Sequence, residues 1–537
     1  MLAAATPAQA FHTEAHKIIT ERALRGKIPI GTVPNPSEAS LVKFYQWLGR
    51  SMAQASGDQR LDGYDPERFT QRFPSPRSFD AFAIRGLLGF NQERDHSVFG
   101  LEDFDRGVVI ERFGIVIDGA TRPDLDKRNQ DRLAYDDKRK PLNLPDGTRV
   151  PIDPMGLNFG TVTGLSSQAI AHYQLSAEHP SKDASVLESE PWNFVVDFGF
   201  PTDKVQSYGA AMAQLHLDMA ILAKYWGLEQ MDSTGEYLSL VWLGAGLHYI
   251  EDSAWPLHNV QVGSYALFRR AKLTNWLEQL RTGGGTWGTV RTFVSIGQEF
   301  LSNHHLLAEA WQLDQLERAR DNKQPHAAMA KAWAQADQDD AELATALGDK
   351  LKPYLSGPLT QQPWQDGAGA GTILAETLAK LGSRQGGALY DATAQAASPL
   401  LRQPGFSVAE KDGLKPALLG DSKDNSVQEA LDKMAEIDAG SLRRANMAAR
   451  LYLQAFEQGS PDAAARRLRR TRLDQLELEE KRRADFVQHP PVVTKGPAGI
   501  EPKDPRWLYG EIGAGLLMMT ALGWLLRRRF RARVRTS

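Results

Sequence analysis

Apolar positions recur every three to four residues through most of this chain, the spacing that lines one side of a helix. Thr13–Leu24, Val205–Trp226, Glu236–Glu251, Ser426–Gln458 and Pro461–Phe486 carry the pattern, and each predicts a helix. Strict alternation is rare. Val108–Ile117 is the best strand candidate, and it reads equally well as buried helix. Residues 137–160 are rich in Pro and Gly and predict a loop or insertion, while 281–287 and 364–371 are glycine breaks. The second break looks superficially like a phosphate cradle, but no Gly-Lys-Ser/Thr follows it and no strand precedes it, so it reads as a linker. The pattern predicts an all-α protein without internal repeats.

The two ends add expectations about location. Residues 1–10 close on Ala8-Gln9-Ala10, the small-x-small form of a signal-peptidase site. Removal there would leave Phe11 as the first mature residue, and 1–10 read as the remnant of an export signal; the competing reading is an Ala-rich leader. Near the other end, 507–526 (WLYGEIGAGLLMMTALGWLL) is long enough for a transmembrane helix, with Trp507, Tyr509 and Trp524 at interfacial positions. The basic tail 527–537 follows at once, and positive residues stay inside, which would place the body outside the cytoplasm, in the periplasm or at the cell surface. A buried terminal helix and a cleaved sorting tail are the alternatives. Between body and span, 461–489 reads as a charged helix or stalk and 490–506 as a Pro-rich linker.

Composition narrows the chemistry. With no Cys among 537 residues, disulfide scaffolds, Cys-ligated zinc, iron–sulfur clusters and thiol nucleophiles are excluded. Any metal must sit on His, Asp and Glu. The net charge of −3 includes six Arg in the last eleven residues, so the rest of the chain is more acidic than that figure and is a poor general binder of nucleic acid.

Several of the twelve His fall into one pattern. In 243–260 (LGAGLHYIEDSAWPLHNV) His248 and Asp252 stand four apart, on one face of a helix that Pro256 ends, and His258 returns just beyond. One carboxylate between two imidazoles suits zinc, which takes His nitrogen and carboxylate oxygen. His305 and Glu309 repeat the spacing, with His304 one residue out of phase. Either pair alone is more commonly a core or surface contact than a metal site; it is their conjunction that points to metal.

His-x3-Asp-x5-His followed by His-x3-Glu resembles the zinc-dependent phospholipase C superfamily, which also contains the single-strand-specific zinc nucleases. Phe11-His-Thr-Glu-Ala-His16, Gly119-Ala-Thr-Arg-Pro-Asp124 and His172-Tyr173 resemble further elements of that family in order, so the likeness spans residues 11–310. It implies an all-α domain with three zinc ions in a cleft. By that resemblance, the backbone of Phe11 and His16 would hold one ion. Asp124, His172, His248 and Asp252 would hold another, and His258, His305 and Glu309 the third. Asp252 would bridge two ions, and Asp124 would orient or deprotonate the attacking water. The Phe replaces the family's usual Trp, and the steps from Asp124 to His172 and from His258 to His305 are wider than in compact members. Asp95-His96 is a rival to the Asp124/His172 pair. Residues 311–460 read as a helical region without an assigned role.

The resemblance implies zinc-dependent phosphodiester hydrolysis. The Glu of the last pair and the Pro-Asp segment look like the phospholipase branch, with a phospholipid substrate at a membrane. The short step from Phe11 to His16 looks like the nucleases, for which nucleic acid would be the substrate. A non-catalytic, membrane-tethered zinc protein is the third alternative.

Overall fold

The computed structural model describes residues 13–34, 36, 39–40, 43–44, 47–48, 109–125, 209–260, 304–356, 369–401 and 425–468. The chain divides into two units, Met1–Gln475 and Leu476–Ser537, and all the described residues belong to the first. Among them the protein is all-α apart from one small sheet. In that sheet β1 (Thr32–Pro34) pairs antiparallel with β2 (Val109–Glu111), with Val33 opposite Ile110.

The expected helix Thr13–Leu24 is α1. The segment read as either strand or helix is both: β2 ends at Glu111 and α2 (Arg112–Leu125) begins at once. A long hairpin follows, α3 (Gly209–Gln230) and α4 (Ser233–Ala254), turning at Met231, whose φ of 50° is left-handed. Asp232 caps α4 by accepting from the Thr234 amide at 2.9 Å. α4 is buried almost all round, which is why its apolar residues spread beyond one stripe. α5 (His304–Arg320), α6 (Ala327–Ala334), α7 (Ala341–Leu347) and α8 (Lys352–Leu355) come next. The long α9 (Ala370–Leu401) and α10 (Asn425–Glu457) then pack on each other and on α4. The glycine break expected as a linker over 364–371 thus closes inside the first turn of α9, where the Gly371 amide donates to Gln214 Oε1 at 2.9 Å.

One apolar core joins these helices, and it includes residues on both sides of position 310: Leu247 and Ile250 of α4 share it with Leu378 of α9 and Met434 of α10. The segment read as a charged helix or stalk begins in this core as well. Residues 461–468 are helical; Ala464 and Leu468 are buried, and Arg467 is paired with Asp218 of α3 by Nη2–Oδ1 at 2.6 Å and Nε–Oδ1 at 3.0 Å. Its Arg-rich look misleads because one of those Arg turns inward to a buried carboxylate.

No helix among the described residues is long and apolar enough to cross a membrane. The expected span 507–526, the remnant 1–10, the linker 490–506, the loop 137–160 and the break 281–287 lie outside the described residues.

Candidate metal centre

The site is built where α2 crosses α4. A Cβ on Gly244 would stand 2.1 Å from Val116 O, and one on Gly119 would stand 2.4 Å from Val241 O, so the two backbones meet at a separation that only glycine allows. One residue on from Gly119, the Ala120 carbonyl lies 2.9 Å from His248 Nδ1. That contact makes Nδ1 the protonated nitrogen and turns Nε2 toward Asp252 Oδ2, at 3.2 Å.

α1 contributes the second imidazole. His16 Nδ1 lies 2.8 Å from Glu251 Oε2, and its Nε2 is 3.4 Å from Asp252 Oδ1. Thr20, one turn along α1, donates to the other oxygen of Glu251 at 2.6 Å. The His16 and His248 rings are 3.8 Å apart, both against the Asp252 carboxylate.

α4 stops because Trp255 precedes Pro256 and is held extended (φ −91°, ψ 127°). A single turn of 3-10 helix, Pro256–His258, reverses the chain, and the Asn259 side chain locks it by donating to the Ser253 and Trp255 carbonyls, both at 2.9 Å. His258 thereby returns to within 3.0 Å of Asp252 Oδ1. Its far side meets α5: His258 Nε2 and His305 Nε2 each lie 3.6 Å from Glu309 Oε1. Trp255 stands edge-on to His258, with ring centroids 5.0 Å apart, and 5.2 Å from His305. Its indole donates to Asp438 of α10 at 3.2 Å. His304 faces the other way, onto Tyr390 of α9.

Two buried groups result, His16/His248/Asp252 and His258/His305/Glu309, each with ligand atoms within 4.8 Å of one another. Both could hold a metal ion. The donor set fits one: the nitrogen–oxygen separations of 3.2–3.6 Å match the edge of about 3.3 Å between ligands in a tetrahedron with zinc-type bonds. His16 and His248 are also backed at Nδ1 by an acceptor, the arrangement that orients metal-binding imidazoles.

Charge in this interior is finely balanced. Burial pushes the Glu251 carboxyl well above the usual range; the Thr20 hydrogen bond opposes this and the Asp252 charge adds to it. Burial pulls the His258 imidazole down, but Asp252 and Glu309 together outweigh it and raise it to about 9. His305 lies well below its ordinary value, from burial first and then from the neighbouring His258 charge, with Asp252 opposing. Asp438 is pushed up to about 8 by burial, against the Trp255 hydrogen bond.

Of the residues singled out in the sequence, His16, His248, Asp252, His258, His305 and Glu309 come together. Asp124 sits in the last turn of α2, one turn beyond Ala120, and its side chain lies outside the described residues. Phe11, His172 and the rival Asp95-His96 also lie outside them. Sequence reading missed Glu251, Thr20, Trp255 and Asp438. Glu251 adjoins Asp252, and Thr20 stands four residues from His16 on one helix face, so the spacing held a signal for that pair; Asp438 carried none. No family model, curated protein or solved structure matches this chain.

Proposed function

We propose that this protein is a zinc-dependent phosphodiester hydrolase of the phospholipase C type, held at a membrane by 507–526 with its body outside the cytoplasm. The observation that carries the reading is the pair of buried His–carboxylate groups meeting within 3.0 Å through Asp252 and His258. Zinc, when bound, supplies Lewis acidity, makes hydroxide available near neutral pH and offsets charge on a phosphoryl group. Asp252 faces both groups, and His258, His305 and Glu309 complete the second. Asp124 is the proposed acceptor of the proton from the attacking water, a role supported by its position one turn from the carbonyl that backs His248. Phe11 and His172 are the remaining proposed ligands of a three-ion site.

The single-strand nuclease reading is favoured by one feature, the short step from Phe11 to His16. The test is a parallel assay of the zinc-loaded full chain on phosphatidylcholine mixed micelles and on single-stranded DNA, with His248→Ala as blank. Diacylglycerol and phosphocholine released by the wild type alone support the phospholipase. Nucleotide release alone moves the protein to the nuclease branch, and full zinc occupancy with neither activity leaves a structural metal protein.

A further inference from the structure

The two imidazoles that meet at Asp252 are backed unequally. His248 Nδ1 rests on a neutral carbonyl, that of Ala120, whereas His16 Nδ1 rests on a carboxyl group, that of Glu251. Glu251 is fully buried, and both of its oxygens are engaged: Oε2 with His16 at 2.8 Å and Oε1 with the Thr20 hydroxyl at 2.6 Å. Ala15 and Ile18 of α1 and Leu247 and Ile250 of α4 belong to the apolar core, so a buried carboxyl is an exception on these two helices. A buried acid costs stability unless it serves an interaction that needs it.

We infer that Glu251 is a positioning residue for the first metal group: with Thr20 as its own anchor, it fixes His16 as an Nε2 donor and strengthens that donation relative to His248. The inference rests on the metal-dependent reading above and deepens it. The geometry gives the mechanism. With Glu251 Oε2 as the acceptor, the hydrogen of His16 is held on Nδ1 and the Nε2 lone pair is directed at the Asp252 side, while the Thr20 hydroxyl, bonded to Oε1, prevents the carboxyl group from rotating away. Outer partners of this kind are worth about 10–100-fold in metal affinity.

Gln is the informative replacement. Its oxygen can still accept from His16 and its amide can donate to Thr20, so the shape and both contacts survive while the carboxyl group is lost. Zinc affinity is to be measured by competition with a chromophoric chelator, on the full chain, in two backgrounds. His305→Ala leaves the first group as the site under test, and His248→Ala leaves the second. In the first background Glu251→Gln is expected to weaken zinc by about tenfold and to shift the visible spectrum of the cobalt-substituted protein; in the second it changes neither. Thr20→Val, which removes only the anchoring hydroxyl, is expected to weaken the first group by about fivefold, and it decides the matter if the Gln variant does not fold. Unchanged affinity in the first background, or equal loss in both, would overturn the role of Glu251. Wild-type protein that takes up no zinc would instead overturn the metal reading beneath it.

Discussion

At the scale of single residues, His258 is the junction of the site, with Asp252 on one side and Glu309 on the other. Without metal its imidazole is raised to about 9, while His305 is held well below its ordinary value, so at neutral pH the second group carries one proton, on His258. A cation that binds through this ring must expel that proton. Zinc affinity of the second group should therefore rise with pH, roughly tenfold per unit between pH 6 and 8. Titration calorimetry at pH 7 in two buffers of different ionisation enthalpy should find about one proton released per ion at this group; a buffer-independent heat would contradict it. Metal removal should be felt in stability too: ligand at about a hundredfold over its dissociation constant adds about 2.7 kcal/mol, so chelation should lower the melting temperature of the wild type. His248→Ala should respond less.

At the scale of elements, the α2–α4 crossing and the α10–α4 contact hold the ligands in place, and each makes a separate prediction. Gly244→Ala drives a methyl into the Val116 carbonyl and must push α2 away, carrying the Ala120 carbonyl off His248. We expect a loss of about 1–3 kcal/mol in urea unfolding together with weaker zinc binding at the first group. Asp438, which holds Trp255 against the second group, has a folded value near 8, above the usual unfolded carboxyl value of about 4. The folded state thus retains this proton where the unfolded state loses it. The associated stability is complete below about pH 4 and is lost as pH rises through about 8. Asp438→Asn keeps an oxygen for the indole, so its melting temperature should fall less than that of wild type between pH 5 and 9. Parallel curves would argue against a buried neutral carboxyl.

At the scale of the molecule, the core is closed by residues far apart in the chain. Arg467 and Asp218 form a buried pair across 249 residues. Arg467→Met leaves a buried carboxyl without its partner and should cost about 3–5 kcal/mol, whereas Asp218→Leu combined with Arg467→Met should recover most of that loss. Chemical denaturation of the three proteins checks it. The same distances explain what the sequence could and could not convey. Helices α1, α4 and α10 were legible because apolar spacing is local, and so were the His248–Asp252 and His305–Glu309 pairs, each one turn apart. The Glu251–His16 pairing, the Asp438–Trp255 contact and the inward turn of Arg467 depend on which helices pack together, and an Arg-rich stretch carries no mark of the one side chain that finds a buried partner. The strand–helix junction at Glu111 was illegible for another reason: a short apolar run suits either element, and pairing with β1 decides it.

Asp438 and Trp255 also impose an order in time. They are 183 residues apart, which at about 5–20 residues per second is on the order of 10–40 s of synthesis. Once Glu309 has been added, the nascent chain contains the imidazoles and carboxylates of both groups, while the helix that steadies Trp255 is still being made. Ribosome-bound chains halted before Asp438 should leave Trp255 open to quenching by acrylamide, and chains extended past Arg467 should protect it.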